Sequence, residues 1–211
     1  MSKKYEFTGE TKVWNGRTLH RIRAIVSFAY IKRGDIGGWI ETENNLSHDG
    51  NAWVNDNARI CDNAIVCDNA IVSGDAIVCG SARVSDNVRI YDNVNVRDNA
   101  RVCDSAIVCD NARICGSARV GGNARICYNA RICDNADYVV FRNCWSSMRW
   151  FTYTRSNKIW KVGCFHGTGE ELIRKAFADS ETSGKCYEAI VRAMEAIEAA
   201  TCKSKEGENH G

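Results

Sequence analysis

The sequence predicts a mainly β chain. It reads as a three-sided parallel solenoid of about five regular coils, with a short N-terminal β cap and a small C-terminal ββαα module. Three observations predict this. A small residue recurs every six positions from Ala52 to Ala136 without one insertion, at fifteen places. A β-branched aliphatic follows two residues after each of the first fourteen, from Val54 to Ile132, and the fifteenth such place is Tyr138. The chain has no proline, so its many tight turns fall to Gly, Asn and Asp, which tolerate left-handed backbone.

The totals set bounds. There are 211 residues, room for one large domain or two small ones. The formal net charge is +2, which does not point to nucleic acid. The first residues, MSKKYEFTGE, lack the apolar run of a signal peptide, and no apolar stretch approaches a membrane span. Twelve Cys without an export signal suggest a cytoplasmic chain with free thiols.

Residues 1–50 are expected to form a β cap and an irregular first coil. KYEFTGETKVW and RTLHRIRAIV are apolar-alternating runs around Asn15-Gly16, a strong hairpin signal. The following GDIGGWIETENNLSHDGNAWV keeps the six-residue beat. That beat places Ile40 and Leu46 in the small-residue phase, and Ile36, Thr42 and His48 in the inward aliphatic phase. A solenoid needs such a cap because an open end exposes apolar core.

Residues 51–136 are the coils. Side chains two apart in an extended segment share a face, so Ala and the next Val or Ile point inward together. The four residues that follow turn a corner. Three such units make an eighteen-residue triangular coil, and five coils stack to roughly 24 Å. A helix needs a period near 3.6 and does not fit this spacing.

The pattern [I/V]-x-x-x-A-x over residues 51–136 resembles the bacterial transferase hexapeptide family, and that resemblance implies a left-handed parallel β-helix. The family often carries Gly just after the aliphatic, where this chain frequently has Cys, as at Cys61, Cys67 and Cys79. The entry segment is similar to uncharacterised hexapeptide-repeat proteins of bacteria and their phages. The resemblance also implies a homotrimer, and it raises an acyl-CoA-dependent acyltransferase with a histidine base as one possible activity.

Residues 137–202 change character. MRWFTYT and KIWKVGCF alternate around RSNK and predict a hairpin. Thr168 with Glu171 three residues on is a capping box that opens a helix at TGEELIRKAFADS. A second helix over KCYEAIVRAMEAIEAA places Tyr187, Ile190, Val191, Met194 and Ile197 on one stripe. Trp145, Trp150 and Trp160 are expected to supply a compact core. Residues 203–211 read as a loose tail.

Candidate chemistry is sparse. The four His, at 20, 48, 166 and 210, all lie outside the regular coils. His48 reads as a cap residue bonded to backbone, and His166 as structural before a helix start. No nucleotide-cradling Gly motif, metalloprotease motif or Ser-nucleophile motif is present, so no catalytic residue is assigned. The unbroken beat leaves no room for the loop that catalytic members of the hexapeptide family insert over their cleft. Eight Cys follow the aliphatic, and the pairs Cys61/Cys79, Cys109/Cys127 and Cys115/Cys133 should be neighbours about 4.8 Å apart. They read as corner filler, because a ladder along an edge converges poorly on a metal. No cofactor and no metal are assigned.

The outward positions sort into three faces. One carries Ile65, Arg83, Arg101 and Arg119; another Trp53, Ile71, Arg89, Ile107 and Arg125; the third Arg59, Ile77, Asn95, Arg113 and Arg131. Stacked guanidinium groups repel unless anions or carboxylates lie between them. Arg83, Arg101, Arg119, Arg89 and Arg125 are thus candidate ligand-binding residues for a phosphate-containing molecule. Pairing with corner residues such as Asp86 and Asp104, or with a neighbouring subunit, is the plainer alternative, since the coils hold ten Asp and nine Arg. Trp53, Ile65, Ile71, Ile77 and Ile107 leave apolar surface that suggests an oligomer interface, most simply in a cyclic trimer.

The functional expectation is a non-enzymatic oligomeric binding protein. It would be a phage-type host-directed inhibitor, with a host protein as partner, or a sponge for an anionic nucleotide-like ligand at Arg-lined grooves between subunits. Neither membrane nor nucleic acid is an expected partner. The alternatives are the acyltransferase and a structural scaffold that displays the C-terminal module.

Overall fold

The computed structural model describes residues 3–207. Within them the chain forms two compact units, one up to residue 140 together with 154–157, and the other residues 141–153 together with the described residues from 158 onward.

The first unit opens with a hairpin. β1 (Tyr5–Trp14) pairs antiparallel with β2 (Arg17–Ala24) across Asn15 and Gly16, at φ 50° and 76°. Two consecutive left-handed residues make the turn whose twist matches its strands. β2 pairs with β3 (Ile36–Ile40), which starts the parallel stack. Fourteen two-residue strands follow: β4 (Trp53–Val54), β5 (Arg59–Ile60), β6 (Ile65–Val66), β7 (Ile71–Val72), β8 (Ile77–Val78), β9 (Arg83–Val84), β10 (Arg89–Ile90), β11 (Asn95–Val96), β12 (Arg101–Val102), β13 (Ile107–Val108), β14 (Arg113–Ile114), β15 (Arg119–Val120), β16 (Arg125–Ile126) and β17 (Arg131–Ile132).

These strands form three parallel sheets: β3-β5-β8-β11-β14-β17, extended antiparallel by β2 and β1; β4-β7-β10-β13-β16; and β6-β9-β12-β15. From Trp53 onward partners are eighteen residues apart, as in Arg83, Arg101 and Arg119 or Trp53 and Ile71. The three expected faces are therefore the three sheets. The small and aliphatic residues from Ala52 to Ile132 are fully buried except for Ala82 at 1% exposure, and they line one core. Tyr138 closes the far end: its hydroxyl donates to the Arg119 carbonyl at 3.0 Å and accepts from the Gly121 N–H at 3.1 Å.

The first coil departs from the expected phase. Ile40 pairs with Ile60 and Leu46 with Val66, a spacing of twenty, so both occupy the aliphatic place and are buried in the core. The segment between Leu46 and Val54 carries two extra residues at its corner. Gly50 sits there at φ +67°, where a Cβ would lie 2.3 Å from the Asp68 carbonyl oxygen. His48 consequently lies in the corner rather than inside the coil, with its ring stacked on Tyr5 at 4.2 Å.

The chain beyond the coils forms a richer sheet than the expected hairpin. β18 (Tyr138–Arg142), β19 (Trp150–Thr154), β20 (Ile159–Val162) and β21 (Phe165–Gly167) run in that order. The expected hairpin is β19 and β20. α1 (Gly169–Asp179) starts at Thr168, whose hydroxyl accepts the Glu171 N–H, while Glu171 accepts the Thr168 N–H at 2.8 Å. α2 (Glu181–Gly207) starts earlier than expected and takes in the first part of the segment read as a loose tail. Residues 208–211 lie outside the described residues.

The core of the second unit gathers Phe151, Tyr153, Trp160, Val162, Leu172, Ile173, Ala176, Tyr187 and Val191. Of the three tryptophans expected there, only Trp160 is buried; Trp145 is 78% exposed and Trp150 39%. Ile197 is likewise exposed, and Glu198 lies buried beyond it on α2. No described helix is long and apolar enough to cross a membrane.

Candidate functional site

The corners decide what the faces can do. The corner residue at Asp56, Asp62, Asp68, Asp86, Asp92, Asp98, Asp104 and Asp110 is left-handed, at φ 52° to 63°. That conformation turns each carboxylate toward the next coil, where it accepts a backbone N–H. Asp68 accepts from Asp86 at 3.3 Å, Asp86 from Asp104 at 3.2 Å, and Asp104 from Gly122 at 2.7 Å. Asp56 and Asp62 each accept from a glycine, Gly74 and Gly80, at 3.0 Å. The Gly80 N–H, with Arg17 beside it, holds the Asp62 carboxyl below its ordinary value. Cys67 and the Asp86 N–H do the same for Asp68, while burial pushes the Cys67 thiol up to about 11.

The corner carboxylates are thus committed to the backbone. Arg83, Arg101 and Arg119 are exposed and aligned on β9, β12 and β15, and among the described residues no carboxylate lies within 4.0 Å of any of them. Among the described residues Asp86 and Asp104 do not pair with these arginines, so of the plainer alternative the pairing with a neighbouring subunit stays open. Arg59 does find a partner, Asp75, at 3.6 Å. At strand spacing, about 4.8 Å, three guanidinium groups share one strip of surface.

Arg89 and Arg125 lie on the adjoining sheet, separated by Ile107. Arg89 joins Ile71 in a cleft of about 190 Å³ with Ala29, Tyr30, Asn51, Asn69 and Asn87. The amides form a ladder: Asn51 donates to Asn69 at 2.9 Å, and Asn69 to Asn87 at 3.2 Å. Tyr30 is 59% exposed at its rim, an aromatic surface beside a cation. Sequence reasoning missed Tyr30 and the Asn ladder. The ladder was legible as Asn at eighteen-residue intervals; the Tyr30 loop was not.

The expected interface residues divide. Trp53 is 1% exposed, buried beneath Tyr5 and Phe28 of the cap, and so offers no surface. Ile65, Ile71, Ile77 and Ile107 are half-buried.

His48 is held in the cap. Its Nδ1 accepts the Lys4 N–H at 3.3 Å, which bears out a histidine bonded to backbone. Its Nε2 lies 3.9 Å from Glu43, and burial keeps the imidazole below its ordinary value. Among the cysteines, Cys115 and Cys133 form a disulfide, which corrects the expectation of free thiols for that pair. The Cys61/Cys79 and Cys109/Cys127 pairs each have the neighbouring Asp62 or Asp110 beside them, with all three ligand atoms within 4.8 Å of one another.

The fold and these faces define a parallel β-solenoid repeat protein. A family model described as the YdcK beta solenoid repeat matches residues 66–80, close to one coil. That match supports the solenoid repeat and does not extend to the hexapeptide transferases. No curated protein matches the chain.

Proposed function

We propose that the protein is a non-enzymatic binding scaffold for a phosphate-bearing, nucleotide-like ligand held on its arginine-lined faces. One observation carries the reading: Arg83, Arg101 and Arg119 stand exposed in one register with no carboxylate beside them. Clustered guanidinium groups bind phosphate oxygens in paired hydrogen bonds, and an anion relieves their mutual repulsion. The cleft with Arg89, Tyr30 and the Asn ladder adds a place for a planar base beside that charge. In this reading the chain acts as a homotrimer through Ile65, Ile77 and Ile107, which brings arginine faces of neighbouring subunits together.

The test is calorimetry and intact-complex mass spectrometry of the full chain with pyrophosphate and a panel of nucleotides. The ligand is expected to bind and to be recovered unchanged, and the variant with Arg83, Arg101 and Arg119 all changed to Gln is expected to lose it. Unaltered binding by that variant, or binding of none of the panel, refutes the reading. The same spectra give the oligomer number.

A further inference from the structure

We propose that Cys109, Asp110 and Cys127 form a binding site for a thiophilic divalent cation of the zinc class. One sulfur from each Cys and one carboxylate oxygen lie within 4.8 Å of one another. A tetrahedral zinc site holds its sulfurs roughly 3.8 Å apart, given a zinc–sulfur bond of about 2.3 Å. In-register coils bring such a pair to about 4.8 Å, so the sulfurs need close by only about 1 Å to grip the ion.

The corner supplies the third ligand. Asp110 is left-handed at φ 59°, which aims its carboxylate along the edge toward the next coil. Its Oδ2 accepts the Tyr128 N–H at 3.1 Å and the Cys109 thiol at 3.4 Å, and no bond to Oδ1 is found among the described residues. Cys127 and the Tyr91 side chain lie close enough to Cys109 to act on its thiol, so four polar side chains meet on one edge. On binding, each thiol gives its proton to solvent as its sulfur lone pair joins the metal. The carboxylate supplies the third bond and a water the fourth. Tyr91 then donates to the Cys109 sulfur, a positioning role outside the metal's own ligands.

The parallel cluster of Cys61, Asp62 and Cys79 is an internal control. There Asp62 is paired with Arg17, and Arg17 also lies 3.4 Å from Glu41, so a metal would have to displace that cation. The third grouping, Asp86, Cys103 and Asp104, offers only one thiol. The Cys109 edge is the one where two thiols and an uncommitted carboxylate oxygen coincide.

The test uses the full chain, reduced and chelator-treated. Zn2+ is titrated by calorimetry and Cd2+ by its sulfur-to-metal charge-transfer absorption. One tight equivalent with a thiolate band is expected. Cys109→Ser and Cys127→Ser should each cut the band to about half or less and weaken Zn2+ by about 100-fold, while Tyr91→Phe should keep the band and weaken binding by about 10-fold. Asp110→Asn retains the corner acceptor, so it guards against misfolding and should weaken binding with the thermal midpoint held. Cys61→Ser should change nothing. Absence of a thiolate band in the wild type, or loss of binding in Cys61→Ser with Cys109→Ser unaffected, overturns the proposal.

Discussion

The solenoid and the C-terminal unit solve the burial problem in opposite ways. In the coils, fully buried side chains rarely exceed the size of Val or Ile, and each stacks on its equivalent eighteen residues away. In the C-terminal unit, a few large rings carry the core: Phe151 meets Tyr187 at 4.9 Å and Trp160 at 6.2 Å, edge to face. The first spreads its stability over many small contacts and one repeated corner bond. The second concentrates it. Single substitutions should therefore injure the two units very unequally.

Trp160→Ala gives the largest effect. Removing a core ring costs about 3–5 kcal/mol, enough to unfold the C-terminal unit while the β signature of the coils persists. Chemical denaturation followed by tryptophan fluorescence and by far-ultraviolet circular dichroism would separate the two. A single cooperative transition lost as a whole contradicts the contrast.

A corner substitution is milder. Asp104→Ala leaves the Gly122 N–H to solvent and places a β-carbon residue without a side-chain acceptor in a left-handed position. A loss of about 1 kcal/mol is expected, and Asp104→Asn should recover most of it. The same corners give the solenoid an acid sensitivity. The Asp62 and Asp68 carboxyls are held below their ordinary values in the folded chain. Below the unfolded value, about 3.9, the unfolded chain binds more protons than the folded one. Stability from these groups is thus complete above that pH and falls away as pH drops through their folded values. A thermal midpoint that stays flat from pH 5 to pH 2, about the window in which such carboxylates titrate, counts against the corner bonds.

Much of this was legible in the sequence because the repeat is strict. Once Arg83, Arg101 and Arg119 fall eighteen apart with the aliphatic phase intact, strand pairing must align them, and it does. Asn15-Gly16 and the Thr168/Glu171 capping box were equally readable, since each is a local backbone preference. The failures are tertiary. The two extra residues between Leu46 and Val54 keep an apparent beat, so only pairing with Ile60 and Val66 reveals the shifted phase that moves His48 to a corner. Trp53 looked like surface because its cover comes from Tyr5 and Phe28, far away in sequence. The convergence of Cys109 with Asp110 depends on a left-handed corner that Asp permits and spacing alone does not display.

The central claim is that the corner carboxylates serve the backbone and leave the arginine strip without ion pairs of its own. Arg101→Glu tests it most directly, by placing a carboxylate between Arg83 and Arg119. Relief of cross-strand repulsion should raise stability by about 0.2–1 kcal/mol in thermal or chemical denaturation while pyrophosphate binding disappears. A destabilised variant, or one that binds pyrophosphate as the wild type does, would contradict the account.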